Sequence, residues 1–213
     1  MVVRRALSVG LAASLYGVSL GALGVASGLT VAQTCVMSLL LFSGGSQFAL
    51  VGIIGGGGSA ASAVTASSLL GIRNGLYGLQ LKPILGVRGL RRVAAAQVTI
   101  DESTAVAVTQ DEPPEQRRGF WITGAVIFVG WNLTTFVGAL AGDALGDPKQ
   151  YGLDAAAAGA FLGLLWPRLS TREPVAVAVG AALVAAVLVP VVPAGIPVVA
   201  AAVVAVVAGL ARR

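Results

Sequence analysis

The sequence predicts an all-α fold, a polytopic transmembrane bundle of about seven helices. Of the 213 residues, 56% are hydrophobic and 11% are charged, with a mean hydropathy of +0.89, whereas about a quarter of a soluble domain is charged. Residues 6–72 carry no charged side chain, which leaves room for about three membrane crossings. The apolar stretches do not alternate with polar residues, so a transmembrane β-barrel is excluded.

The expected helices follow the apolar segments in order. Residues 1–28 have basic residues before an apolar stretch, as a secretory signal does, but no hydrophilic sequence follows them, so we expect a first transmembrane helix. The seven expected spans are 7–29, 31–57, 59–85, 119–145, 153–166, 175–191 and 195–210.

The chain is expected to form a single membrane domain, 1–213, with two repeats joined by a connector. The first repeat is 1–85, the polar or re-entrant connector is 86–118, and the second repeat is 119–213. Gly21-Ala22-Leu23 recurs as Gly138-Ala139-Leu140. If the connector does not cross, the halves have opposite orientation, as in inverted-repeat transporters. A chance match in a chain rich in Ala and Gly remains the alternative.

The middle of the connector, 93–100, is apolar and is followed by two acidic residues. This pattern indicates a re-entrant or half-length helix, which is tolerated only beside protein or a water-filled cavity. With seven spans, the connector, the turn at 168–172 and the arginine pair at 212–213 share a side, which the excess of basic residues makes cytoplasmic. The pair at 4–5 then lies on the other side, against the same rule.

A polar break interrupts the second expected span, with the candidate binding residues Ser43, Gly44, Gly45, Ser46 and Gln47. The break leaves two pieces that are each too short to cross. It frees backbone amides, and the positive end of a half-helix attracts a carboxylate. The alternative is that the small residues only allow close helix packing.

Charged and polar residues further along the chain complete the candidate site. Arg73 lies deep in its span, where an arginine costs at least about 2.5 kcal/mol and faces a cavity or a partner. Its candidate partners are Asp101, Glu102 or an anionic substrate; alternatively, Arg73 extends to the opposite interface. Asn74 and Tyr77 follow on the same helix. Asp101 and Glu102 are candidates to receive an ammonium group or a coupling proton, or else are solvated or cap a helix.

The rest of the composition excludes several functions. The sequence has no histidine and a single cysteine, Cys35, which excludes an intrachain disulfide and removes most metal and Ser-His-Asp chemistry. We therefore expect no enzyme and no cofactor. The net charge of +5 is explained by basic residues at helix ends near lipid head groups, without nucleic acid.

Several motifs together resemble the AzlC family of branched-chain amino acid permeases. They are Gly17 and Gly21, Phe42-Ser43-Gly44-Gly45-Ser46-Gln47-Phe48, Arg73-Asn74-Gly75-Leu76-Tyr77-Gly78 and Asp101-Glu102-Ser103, in this order. The resemblance implies export of valine, leucine and isoleucine and a separate small membrane subunit, AzlD. Many members have Asn and His flanking the arginine motif, where this chain has Gly71 and Asn74, which puts the substrate preference and any histidine-linked proton step in question.

We therefore expect a multi-pass secondary transporter of the inner cell membrane that exports branched-chain or similar apolar amino acids along an ion or proton gradient. The substrate carboxylate would meet the 44–47 amides and Arg73, the ammonium Asp101 or Glu102, and the side chain Phe42 and Phe48. A channel-like pore and a non-transporting membrane scaffold remain alternatives. The sequence leaves open the exact amino acid, the direction, the coupling ion and the oligomeric state.

Overall fold

The computed structural model describes residues 1–145, 169–192 and 196–210, together with Gly159, Leu162, Gly163, Leu165 and Trp166. Within this part of the chain all regular structure is helical, so the predicted all-α class is confirmed. The helices are α1 (Val2–Ser14), α2 (Tyr16–Ala26), α3 (Val31–Leu40), α4 (Gly44–Gly55), α5 (Ala60–Leu85), α6 (Leu90–Gln97), α7 (Asp101–Val108), α8 (Pro113–Ala144), α9 (Arg172–Leu188) and α10 (Ile196–Leu210).

Two helical segments among the described residues are long and apolar enough to cross a membrane. They are the almost continuous pair α1–α2, Val2–Ala26, and α8, Pro113–Ala144. The seven predicted spans are not confirmed, and the span expected at 153–166 lies largely outside the described residues.

Helices α1–α2 and α8 run side by side in the same direction along a seam of small residues. A Cβ placed on Gly10 would lie 2.6 Å from Val126 Cγ1, and one on Gly21 would lie 2.5 Å from the Ala139 backbone nitrogen. Residues later in α1–α2 therefore contact residues later in α8, which means that the two segments are parallel. Without side chains at these positions the two backbones approach closely, as small residues permit in membrane helix pairs.

This seam corrects the expected relation between the two Gly-Ala-Leu segments. Residues 21–23 and 138–140 face each other on parallel helices. A two-fold axis in the plane of a membrane would make the equivalent helices antiparallel. The two segments are therefore not the pair of opposite orientation that was expected from the sequence.

Helices α3 and α4 form a hairpin that starts and finishes at one end of the bundle. Thr34 of α3 packs on Gly24 near the end of α2, and Gly55 at the end of α4 packs on Ser27. The tip between them, at Gly44, lies against the Trp131 ring near the middle of α8. The predicted break is present, but the segment 31–57 is a re-entrant pair of half-helices rather than a crossing.

Helix α5 runs antiparallel to α4 and reaches the opposite end of the bundle. Ile53 near the end of α4 packs with Ala63 and Ala66 near the start of α5. At the other end of α5, Arg117 Nε donates a hydrogen bond of 2.8 Å to the Ile84 carbonyl. The 26 residues of α5 span about 39 Å at 1.5 Å per residue.

Helices α6 and α7 form a second hairpin, which enters from that opposite end. Val98 after α6 packs on Gly124. Helix α7 then runs back toward the start of α8, where Val106 packs on Gly119. The turn of this hairpin therefore lies near the middle of α8, close to the tip of the first hairpin. Gln97 Nε2 links the two hairpins by donating to the Leu39 carbonyl over 2.8 Å.

The first 108 residues thus form two units of similar design and opposite direction. Each unit has a long helical segment followed by a hairpin of half-helices, in residues 2–55 and 60–108. Helices α9 and α10 follow as a pair, with Gly180 beside Val204, and Val199 of α10 packs against Ile53 and its neighbours.

The two ends of the bundle differ in charge. We call the basic end the one that carries Arg4, Arg5, Lys82, Arg88, Arg91, Arg92, Arg117 and Arg118, beside three acidic residues, Asp111, Glu112 and Glu115. Within residues 1–145 the opposite end carries only Asp143. Arg4 and Arg5 therefore lie at the same end as the connector, and the charge conflict of the seven-span prediction disappears because α3–α4 does not cross.

Candidate functional site

A cavity of about 280 Å³ lies at mid-depth, where the tips of the two hairpins meet. We call it cavity 1. Its polar lining comes from both tips, from α5 and from Tyr16 of α2, and its apolar lining comes from several elements, including α4, α5 and α8. The lining residues are Ala13, Tyr16, Phe42, Ser43, Gly44, Gly45, Phe48, Leu70, Arg73, Ile100, Asp101, Glu102, Ile127, Trp131 and Leu165.

The amino terminus of α4 forms one polar wall of cavity 1. Ser43 is extended, with φ −160° and ψ 102°, and the helix starts at Gly44. The first amides of a helix have no carbonyl partner within it, and they carry the positive end of the helix dipole. The Ser43 hydroxyl is buried and has no partner among the described residues. This wall therefore offers donors suited to an anion.

Glycine at this wall allows other groups to approach the backbone closely. A Cβ on Gly44 would lie 3.2 Å from the Trp131 ring, and one on Gly45 would lie 3.0 Å from Arg73 Nη2. The guanidinium of Arg73 therefore lies directly over the first turn of α4.

An ion pair joins this guanidinium to the second hairpin. Arg73 Nη1 lies 2.8 Å from Asp101 Oδ2, with 31% of the arginine side chain and 24% of the aspartate side chain exposed. Arg73 Nε is buried and has no partner among the described residues. Of the three partners considered for Arg73, the structure pairs it with Asp101.

The second polar wall is the amino terminus of α7, which holds Asp101 and Glu102 in its first turn. Ser103 fixes this turn, since its Oγ accepts from the Ile100 amide over 3.1 Å and donates to the Val98 carbonyl over 2.7 Å. Carboxylates at this position interact favourably with the positive end of the helix dipole. The two acids therefore stabilise the helix start and also face cavity 1.

The apolar walls surround these polar groups. Phe48 and Trp131 pack edge to face with ring centroids 6.3 Å apart, and Ile127 lies one turn before Trp131 on α8. Phe42 packs against Phe128 at 5.0 Å. The polar groups are thus held between close-packed hydrocarbon surfaces, which lower the local dielectric and strengthen electrostatic contacts.

Cavity 1 brings together six of the ten residues predicted from the sequence, namely Ser43, Gly44, Gly45, Arg73, Asp101 and Glu102. The other four lie elsewhere. Ser46 and Gln47 are fully buried behind the α4 terminus, and Gln47 Nε2 donates to the Ser38 carbonyl over 3.1 Å. Asn74 is half-buried on α5, and Tyr77 lines a second cavity nearer the basic end.

The sequence prediction missed several lining residues. Trp131 and Ile127 have the i, i+4 spacing of one helix face, which would have indicated a shared surface. Tyr16 is the only aromatic residue before Phe42, and this isolation was an available signal. Leu70 has no distinguishing feature in an apolar segment.

A family model described as AzlC protein matches residues 8–145, a segment that contains both hairpins and every lining residue of cavity 1 except Leu165. No curated protein and no solved structure matches the chain. The match covers well over half of the chain, and together with the two long apolar helices it is consistent with a membrane protein. The chain belongs to the AzlC family, which is generally associated with membrane transport of amino acids.

Proposed function

We propose that the protein is a secondary transporter that exports branched-chain or similar apolar amino acids across the inner cell membrane, driven by an ion or proton gradient. The observation that carries this proposal is the composition of cavity 1, in which a helix amino terminus, an arginine and two carboxylates meet between apolar walls. A zwitterion with an apolar side chain needs a site for its carboxylate, a site for its ammonium group and an apolar surface. No catalytic step is part of the proposal.

The substrate carboxylate binds at the start of α4. The amides of Gly44 and Gly45 supply donors and the helix dipole supplies partial positive charge, as at other helix termini that hold anions. Arg73 adds a full charge directly over the same turn, with Nη2 3.0 Å from the Cβ position of Gly45.

The substrate ammonium binds at the start of α7. Asp101 and Glu102 both line cavity 1, and Asp101 is held in place by Arg73 at 2.8 Å. A bound zwitterion brings one charge of each sign to this pair, so it enters the site without leaving a net uncompensated charge, which a low dielectric penalises.

The apolar side chain of the substrate packs against Phe48, Leu70, Ile127 and Trp131. A volume of about 280 Å³ lies just below the usual range of small-molecule pockets, roughly 300–1,000 Å³. This size suits one small amino acid rather than a peptide.

The basic end faces the cytoplasm. Eight basic and three acidic residues lie at that end within residues 1–145, and cytoplasmic loops carry an excess of Lys and Arg. A small AzlD-type membrane subunit is the proposed partner, as the family resemblance implies.

A channel-like pore and a non-transporting scaffold are the competing functions. A channel would pass solute without saturation and without dependence on a gradient. A scaffold needs close-packed helices, which the α2–α8 seam provides, but it does not need an ion pair beside a cavity at mid-depth.

Counterflow in proteoliposomes tests the proposal. Vesicles loaded with unlabelled leucine should accumulate labelled leucine, valine or isoleucine, and the flux should saturate and respond to a pH gradient. Lysine and glutamate should not be accumulated. The assay is run with and without the small subunit. Absence of counterflow in both preparations, with the protein monodisperse, would refute the proposal.

A matched pair of arginine variants locates the site. Arg73→Ala removes the charge beside cavity 1 and should abolish counterflow. Arg88→Ala removes the same charge from an exposed position at the basic end and should leave counterflow within about twofold, since surface substitutions usually have small effects. Equal effects of the two variants would contradict the assignment.

A further inference from the structure

A second cavity, of about 460 Å³, lies between α1, α5 and α7 on the side of cavity 1 that faces the basic end. We call it cavity 2. It extends along α7 from Asp101 to Val108, a rise of about 10 Å. Arg5 lines it, and Val106 beside it packs on Gly119 near the basic end. Cavity 2 therefore leads from mid-depth toward that end.

The two cavities share two lining residues, Asp101 and Glu102. Asp101 is also the residue that pairs with Arg73 at 2.8 Å. The ion pair thus stands where the cavities adjoin. Because the two side chains keep 31% and 24% of their surface exposed, the pair is reachable rather than sealed in the protein core.

The lining of cavity 2 suits a small zwitterionic solute. Tyr77, Gln80 and Glu102 supply polar groups beside the hydrocarbon of Val9 and Val108. Thr104 also lines this cavity, and its hydroxyl is buried with no partner among the described residues. A buried hydroxyl normally finds a hydrogen-bond partner, so a solute or water in cavity 2 would satisfy it.

From these observations we propose that cavity 2 is the vestibule through which solute passes between cavity 1 and the basic end, and that the Arg73–Asp101 ion pair closes the passage between them. This proposal rests on the proposed transport function. A zwitterion in cavity 1 competes for both members of the pair, its carboxylate for Arg73 and its ammonium for Asp101. Binding of the solute thereby separates the two side chains and opens the passage.

Cysteine labelling tests the closure without requiring transport. The background is Cys35→Ser, and the probe is a charged, membrane-impermeant thiol reagent. Ala105→Cys reports on cavity 2, where Ala105 is exposed, and Ser43→Cys reports on cavity 1. The vesicle orientation in which Ala105→Cys reacts presents the basic end. In that orientation Ser43→Cys should react at least tenfold more slowly.

Breaking the ion pair should open the passage. Asp101→Asn should raise the labelling rate of Ser43→Cys at least tenfold and leave that of Ala105→Cys unchanged. Exchange of the two charges, Arg73→Asp with Asp101→Arg, should restore slow labelling and excludes a general loss of structure. Ser43→Cys that reacts equally fast with the pair intact or broken would overturn the closure, whether or not counterflow is observed.

A bulky side chain tests the vestibule itself. Ala105→Trp should reduce counterflow at least tenfold, whereas Ala94→Trp, at an exposed position of α6 outside both cavities, should retain it. If Ala105→Trp transports normally while Arg73→Ala does not, solute uses another route and the vestibule is refuted, although the transport function stands.

Discussion

Substitution of Gly45 by alanine gives a sharp test of the carboxylate site. The added Cβ would lie 3.0 Å from Arg73 Nη2 and 3.5 Å from Leu70 Cδ2. Favourable separations between nonbonded heavy atoms are about 3.5–4.0 Å. The guanidinium must therefore move by a few tenths of an ångström, away from the amides of α4 where the substrate carboxylate is proposed to bind.

The size of the effect on leucine binding follows from the hydrogen bond between Arg73 and the substrate carboxylate, which the displaced guanidinium no longer makes. A hydrogen bond to a charged group contributes about 1.5–3 kcal/mol, which corresponds to roughly a 10- to 100-fold change in a binding constant. We expect the apparent Kd for leucine to rise by this factor in Gly45→Ala. The fold should remain intact, because alanine favours a helix over glycine by about 0.5–1 kcal/mol.

A second glycine in the same helix supplies the control. A Cβ placed on Gly52 meets no atom within 4 Å, so Gly52→Ala gains the same helical preference without touching the site. Leucine binding to the purified protein is measured by calorimetry, with and without the small subunit, and thermal unfolding is recorded in parallel. Equal Kd values for Gly45→Ala and the wild type would refute the carboxylate assignment.

Three further predictions concern the scaffold. Gln47→Ala should lower stability by about 1–3 kcal/mol, because the carbonyl at the end of α3 loses the amide that satisfies it; thermal unfolding in detergent measures this, and an unchanged midpoint would contradict it. Gly21→Ala should destabilise or prevent folding, since its Cβ would collide with the α8 backbone, whereas Gly52→Ala should not; the two expression levels and melting curves decide. Single cysteines at Thr30 and Ser59, in the Cys35→Ser background, should react from the same side of the membrane, because α3–α4 returns to its starting end; reaction from opposite sides would restore a crossing span.

Interruptions of the apolar pattern were readable from the sequence. Consecutive glycines between serines weaken a helix, and the helix ends at Leu40 and resumes at Gly44. The sequence likewise indicated that Arg73 needs a partner, because an unpaired arginine among apolar residues is costly. Local chemistry therefore predicted the break and the need for an ion pair, and six of the ten candidate residues line one cavity.

The direction of the chain after each break was not readable. Residues 31–57 would reach about 40 Å as one helix, enough to cross a membrane, and hydropathy is the same whether the second half continues or turns back. The turn depends on tertiary contacts, such as Gln47 with the Ser38 carbonyl and Gly55 with Ser27. The sequence assigned Gln47 to substrate because it is polar, whereas its buried amide closes the hairpin tip.

The position of the inverted repeat was misjudged for a related reason. Gly-Ala-Leu recurs because both α2 and α8 need small residues where their backbones touch, so similar packing produced similar sequence without inverted symmetry. The units that do run in opposite directions, 2–55 and 60–108, share length and shape rather than residues. Sequence comparison alone has little to detect in such a pair.

The opposed units explain why the polar groups collect at one depth. Each hairpin turns back near the middle of α8, and each begins its returning half-helix there, at Gly44 and at Asp101. Tyr16 and Arg73, which lie at similar positions along the two long helical segments, both face the resulting cavity. Only the second unit contributes charges to cavity 1, namely Arg73, Asp101 and Glu102. The passage proposed along α7 is therefore the one that an ion pair can close and on which solute charge acts directly.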